Sequence, residues 1–309
     1  MARVPASGTQ YTIQAGEYEA VIASVGASLR SLTWRGRDLV VPFDEDEVRP
    51  AYRGVTLVPW PNRVVDGQYT YDGVDYVLAH TEPDRGHALH GLAAWLDYTM
   101  VAIDVASVTL VRIIEPQSGY PWRLTIETTY ALGADGLTQT VRAVNNAPGA
   151  APFGTGPHPY LVAGPGTVDD WTLELPARQV LEVTEDRLIP TDLRSIVGDE
   201  RFGYLEPRVI GAAEIDHAYT GLRRDEQGIA TVRVTDASGS GVQMTWDERC
   251  PWVQIHTADV PAAPRLHRVG LAVEPMTCPP DAFNSGTDLI ILEGHGGSAE
   301  ASWTISAIA

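Results

Sequence analysis

Two residues in this sequence could work as a coupled acid and base: His158 in GTGPHPYL (154–161) and Glu274 in VGLAVEP (269–275). Histidine is the side chain whose charge changes near neutral pH. Pro157 and Pro159 fix their own φ and push the preceding residue toward extended conformations. His158 therefore sits on a stiff, non-helical mount, which would suit delivery of a proton to one chosen atom. The plainer alternative is a loop histidine that happens to have proline neighbours. Glu274 closes an apolar strand just before Pro275. Partial desolvation there raises a carboxyl pKa toward neutrality, where the group can serve as a general base. The plainer alternative is an edge glutamate in water.

Three further clusters carry polar chemistry. Asn62 and Arg63 follow a proline-bracketed tryptophan in WPNRVVDGQY (60–69), His87 and His90 sit beside glycines in GHALHGL (86–92), and Asp216 and His217 occupy EIDHAYTG (214–221). Arg63 offers a planar fork of donors. His80, His87 and His90 invite a zinc reading, but their spacing matches no standard ligand tetrad and neither cysteine is near in sequence. No metal site is expected. Trp60, Trp95 and Trp122 could each stack on a sugar face or fill a core.

The elements that must hold these groups read as strands. LTIETTYAL (124–132) places Leu124, Ile126, Tyr130 and Leu132 on one face, a period of two. YTYDGVDYVL (69–78) is a hairpin about Asp72-Gly73, a dipeptide suited to a tight primed turn. TVRVTD and VQMTW flank ASGSG (237–241) as a second hairpin, and WTLEL (171–175), WVQIHT (252–257) and ASWTISAI (301–308) add strands. The expected helices are short: around PPDAFNSG (279–286) and GLAAWL (91–96). With no linker, composition shift or repeat, the pattern predicts an all-β fold: one large antiparallel β-sandwich, a single domain over 1–309.

Composition removes several function classes. A net charge of −18 repels nucleic-acid backbones and anionic membrane surfaces. All 22 basic residues are arginine, so a Schiff-base lysine mechanism is excluded. Cys250 and Cys278 make no disulfide framework and no CxxC pair. The N-terminus lacks an apolar leader core, and no run approaches the roughly 18 apolar residues that span a bilayer. These features predict a soluble, cytoplasmic protein.

The order of the motifs carries a resemblance. Asn62-Arg63-Val64 with Gly67, Tyr69, Gly73, Tyr76 and Leu78 is followed by HALHG (87–91), GPHPYL (156–161) and IDHAYTG (215–221). VQIHTA (253–258) and VEPMTCPPDAFNSG (273–286) complete the series. In this order, over nearly the whole chain, the sequence resembles the aldose 1-epimerase (galactose mutarotase) family. The resemblance implies a galactose mutarotase-like sandwich with an open groove. It also implies interconversion of the α and β anomers of a free aldohexose such as galactose or glucose. In that reading His158 protonates the ring oxygen while Glu274 takes the proton of the anomeric hydroxyl. The ring opens, C1–C2 rotates, and the ring recloses on the other face. Asn62, Arg63, His90, Asp216 and Gln254 fall on the family's sugar-contacting positions. No cofactor or metal is implied; the partner is a small sugar, and the chain would be a monomer or homodimer.

Two segments depart from the family pattern: LEGHGGSAEASW (292–303) replaces a PGE-like turn, and GPHPYL replaces the HxYFNL form. A rival on the same fold, a hexose 6-phosphate epimerase, would need a basic pocket, and GLRRDE (221–226) and PRLHR (264–268) are the only local basic pairs. Glycoside hydrolysis by Asp216 and Glu274 would leave His158 without a part. A non-catalytic sugar-binding domain would not need the acid–base pair. Nearby carboxylates should raise the pKa of His158, giving a pH bell limited by Glu274 on the acid side and His158 on the alkaline side.

Overall fold

The fold is read from a computed structural model that describes residues 3–309. The alternating segments pair into two large antiparallel sheets. The larger has nine strands, in the order Thr99–Ile103, Ser107–Ile114, Leu124–Gly133, Gly136–Asn145, Ser298–Ile308, Gly241–Trp246, Ala230–Thr235, Thr172–Glu174 and Arg208–Val209. The second has six, in the order Tyr160–Leu161, Leu271–Met276, Trp252–His256, Asp216–Thr220, Gln179–Val183 and Pro190–Ser195. A four-stranded sheet, Gln10–Ala15 to Arg37–Asp38, is formed by the N-terminal residues.

The period of two decides which face of each sheet meets the core. Leu124, Ile126, Tyr130 and Leu132 are buried, as the sequence predicts. Val253, Ile255, Leu271 and Val273 of the six-stranded sheet belong to the same hydrophobic cluster as these four residues and as Ile22 and Leu32 of the N-terminal sheet. The two large sheets thus share one core as a sandwich. On the six-stranded sheet the face away from this core carries Gln254, His256 and Glu274.

Both expected hairpins form. Asp72 (φ 50°) and Gly73 (φ 73°) make the left-handed pair of a type I′ turn between Gln68–Tyr71 and Val74–Val77. Ala230–Thr235 pairs with Gly241–Trp246 around the Ser-Gly loop. A single turn of helix, Ala282–Ser285, matches one of the two helical expectations. GLAAWL does not: residues 91–96 are a non-helical turn. Gly91 sits at φ 75°, and the N–H groups of Leu92 and Ala93 both donate to the Val58 carbonyl. The segment's own backbone bond, from the Leu96 N–H to the Ala93 carbonyl at 3.1 Å, closes a single tight turn and not a helical ladder. Trp60 and Trp122 fill the core, whereas Trp95 is 50% exposed with the Arg49 guanidinium over its ring. Among the described residues no helix is long and apolar enough to cross a membrane.

Candidate active site

Strand register brings the first group of polar side chains together. Glu274 lies opposite Gln254, Ala272 opposite His256 and Tyr160, and His256 opposite Asp216. Residues directly opposite in an antiparallel pair share a face. Tyr160, Glu274, Gln254, His256 and Asp216 therefore stand on the same side of the sheet, away from the core.

The opposing wall comes from loops locked by backbone contacts. Gly156–Pro157 pairs with Thr56–Leu57, and the Gly54 N–H donates to the His158 carbonyl at 2.8 Å, so His158 is fixed from both directions. Arg63–Val64 pairs with Ala88–Leu89, and the His90 N–H donates to the Asn62 carbonyl at 2.8 Å. Asn62 (φ 53°) and His90 (φ 61°) both occupy the left-handed region. Such backbone strain in non-glycine residues gathers at functional sites.

A cavity of about 250 Å³ opens between the sheet and these loops, and all seven residues singled out from the sequence line it: Asn62, Arg63, His90, His158, Asp216, Gln254 and Glu274. His158 Nε2 lies 3.4 Å from Glu274 Oε1. The His90 ring meets the His158 ring edge-on, with centroids 5.0 Å apart. Arg63 is held by Glu82 through two bonds, Nε to Oε2 at 2.7 Å and Nη2 to Oε1 at 2.9 Å. Gln254 Nε2 donates to Asp216 Oδ1 at 2.6 Å.

Several buried atoms of this lining have no hydrogen-bond partner within the protein: Glu274 Oε2, His158 Nδ1, His90 Nδ1, His256 Nδ1 and Gln254 Oε1. Buried polar atoms are normally hydrogen-bonded, so five in one cavity mark a surface shaped for a polar ligand.

Electrostatics separates the two central groups. Burial, reinforced by the charge of Asp216, pushes the Glu274 carboxyl well above its usual range. Burial, reinforced by His256, pulls His158 down to about 3. His90 is likewise held well below the ordinary histidine value, first by burial and then by its histidine and arginine neighbours. Burial also acts to raise Asp216, but His256, Arg63 and the Gln254 amide outweigh it and keep the carboxylate ionised. The expectation that neighbouring carboxylates raise His158 is therefore overturned. A backbone hydrogen bond and Asp216 pull that way, and desolvation dominates. Glu274 also does not finish its strand: Leu271–Met276 runs on through Pro275, and Glu274 is 2% exposed. That disposes of the edge-glutamate alternative.

Six polar lining residues escaped the sequence reading: Tyr52, Glu82, Arg85, Tyr160, His256 and Asp259. Tyr160 and His256 stand two positions after His158 and Gln254, so the strand period could have found them. Tyr52 and Glu82 come from loops and left no signal. The remaining histidines do not converge on the cavity: His87 Nδ1 accepts from the Asp66 N–H and its Nε2 bonds the Arg187 carbonyl, while His80 Nε2 bonds the Asp66 carbonyl. His217 Nδ1 accepts from the Asp216 N–H, and its ring packs on Phe202.

The fold and this face define the class. The structure superposes on the GalM/aldose epimerase homologue from C. elegans with a TM-score of 0.83 at 20% identity, covering 97% of this chain and 100% of that one. The sequence pattern of the aldose 1-epimerase family matches residues 9–299. The chain is 38% identical to the uncharacterized protein YihR of Escherichia coli K12 over 289 residues, 93% of this chain and 90% of that protein. It is 28% identical to the galactose mutarotase of Bos taurus over 271 residues, 81% of this chain and 77% of that protein. This protein belongs to the aldose 1-epimerase family.

Proposed function

We propose that this chain, acting as one domain, interconverts the α and β anomers of a free aldohexose such as galactose or glucose. The observation that carries the reading is the buried His158–Glu274 pair, 3.4 Å apart in a cavity also lined by polar side chains able to bind hydroxyls. The ring oxygen and the anomeric oxygen of a pyranose are both bonded to C1. A donor for one and an acceptor for the other must therefore be near neighbours, as these two are. His158 gives a proton to the ring oxygen as the C1–O5 bond breaks, and Glu274 takes the hydroxyl proton as the C1 carbonyl forms. After rotation about C1–C2 both transfers run backward. Arg63, Asn62, Asp216, Gln254 and His90 hold the remaining hydroxyls, so that orientation and acid–base catalysis act together.

A phosphorylated sugar is the weaker reading. Arg223, Arg224, Arg265 and Arg268, the basic pairs noted in the sequence, do not line the cavity. Arg63 and Arg85 do, but both are bonded to Glu82. Polarimetry on freshly dissolved α-D-galactose, α-D-glucose and glucose 6-phosphate tests the function. His158→Ala and Glu274→Ala should each slow mutarotation by about 10²–10⁴-fold. Near wild-type turnover in either folded variant would remove that residue from its role.

A further inference from the structure

No side-chain hydrogen bond orients the His158 imidazole. Nδ1 of His158 and Nδ1 of His90 are both without a partner, and His158 Nε2 stands at a long 3.4 Å from Glu274 Oε1. An imidazole so held turns about its Cβ–Cγ bond unless packing stops it. The packing here is aromatic. The Tyr160 ring lies 5.2 Å from that of His158, and the His90 ring 5.0 Å. Tyr52 completes the group, 4.7 Å from the His90 ring at 62° and 6.3 Å from the His158 ring at 27°.

The turn that carries Tyr52 is strained. Ala51 (φ 46°), Tyr52 (φ 55°) and Gly54 (φ 67°) all occupy the left-handed region. Glycine adopts it freely, but alanine and tyrosine stay there only where the surroundings over-determine the backbone. They do so here. The Gly54 N–H donates to the His158 carbonyl at 2.8 Å, and the Gly54 carbonyl accepts from the Leu29 N–H at 2.9 Å. The Tyr52 ring packs on Val55, Leu57 and Ala94 and is backed by Trp95 at 5.6 Å, whose indole carries the Arg49 guanidinium. Arg49 is anchored in turn to the Val25 carbonyl at 3.0 Å and to Ser28 Oγ at 2.6 Å. One turn thus ties His158 by its backbone and packs against the histidine pair by its side chain.

We propose that Tyr52 is a positioning residue: its ring, directed into the cavity by a strained turn, keeps the His158 imidazole aimed at Glu274 and shuts water away from it. The inference rests on the mutarotase reading above. The groups that face His158 are His90, Tyr52 and Arg49 from the loops, Tyr160 from its own segment, and Glu274, His256 and Asp216 from the sheet. Burial raises the Tyr52 phenol above its ordinary value, so replacing it removes cover and no charge. Water admitted beside His158 favours the charged imidazole, which moves its titration to higher pH.

The test is polarimetry on α-D-galactose and α-D-glucose across pH, with the wild type, Tyr52→Phe, Tyr52→Asn and Tyr52→Gly. Asn and Gly both tolerate left-handed backbone, so the turn survives while the ring is lost. Tyr52→Asn should lower kcat by about tenfold or more with KM within about threefold, as misaimed reacting groups do. Its acid limb should move up by about one pH unit or more, and Tyr52→Gly should behave alike. Tyr52→Phe, which keeps the ring, should restore both properties. A second readout needs no turnover: the His158 C2 proton resonance, identified by its loss in His158→Ala, should titrate at higher pH in Tyr52→Asn than in the wild type. An unmoved resonance and acid limb in the Asn and Gly variants overturn the inference. A raised KM with unchanged kcat also overturns it, making Tyr52 a sugar contact, and so does a loss in Tyr52→Phe equal to that in Tyr52→Asn, which would assign the effect to the hydroxyl. No turnover of either sugar by the wild type overturns the mutarotase reading, and the resonance distinguishes that failure from a failure of Tyr52 to cover His158.

Discussion

At the residue scale the chemistry turns on where one proton sits. Proton transfer to O5 and from O1 requires His158 protonated and Glu274 ionised, yet burial favours the neutral form of each. The two arrangements hold the same single proton, and the neutral one is also the arrangement left after ring opening. Burial thus favours the open-chain stage over a charged resting pair. The pH profile should still be a bell, with its limbs belonging to the pair. The acid limb is the second proton arriving on His158, and the alkaline limb is the loss of the only proton, from Glu274. That reverses the assignment expected from the sequence. Glu274→Gln should cut turnover by about 10²-fold or more, and the residual rate should lose its alkaline limb. Retention of that limb would assign it to another group.

At the element scale, positioning is shared between a sheet face and strained loops. The two bonds from Arg63 to Glu82 stop the guanidinium from turning away from the cavity. Glu82→Gln should therefore raise KM by about tenfold or more, the worth of a charge-assisted bond, with a smaller effect on kcat. An equal fall in kcat would instead place Arg63 in the transition state. Gly91 makes the same point about backbone. A Cβ there would come 2.0 Å from the Val58 carbonyl oxygen, at a φ of 75° that disfavours other residues. Gly91→Ala should cost about 2 kcal/mol or more in urea unfolding and should lower activity through the adjoining His90.

At the scale of the whole molecule, the buried site couples stability to pH. His90 and His158 have folded pKa values below their ordinary ones, so the stability they permit at neutral pH is lost as pH falls below about 6.5. Glu274 is raised, so its contribution has the opposite sign: it is present at low pH and is lost as pH rises above the ordinary carboxyl value. Two histidines against one glutamate leave a net loss on acidification of up to about 1.4 kcal/mol per pH unit. Glu274→Gln removes the opposing contribution, so between pH 6 and 5 its stability to urea should fall more steeply than that of the wild type. Equal slopes would mean that Glu274 is ionised in the folded protein.

What could be read without coordinates was whatever depends on local period and residue type. Alternation specified the strands and their buried faces, Asp72-Gly73 specified its turn, and the ordered motifs pointed to seven of the residues that line the cavity. GLAAWL misled because its apolar spacing says nothing about the left-handed backbone of Gly91 or the Val58 carbonyl to which the segment is tied. Tyr52 and Glu82 were invisible because their neighbours in space are remote in sequence. The pKa of His158 was misjudged for a related reason: a sequence shows which charges exist, whereas desolvation depends on how many atoms close around a group. Only tertiary structure decided that burial outweighs the carboxylates and that Glu82 holds Arg63. Each of these depends on which strands and loops the packed core brings side by side.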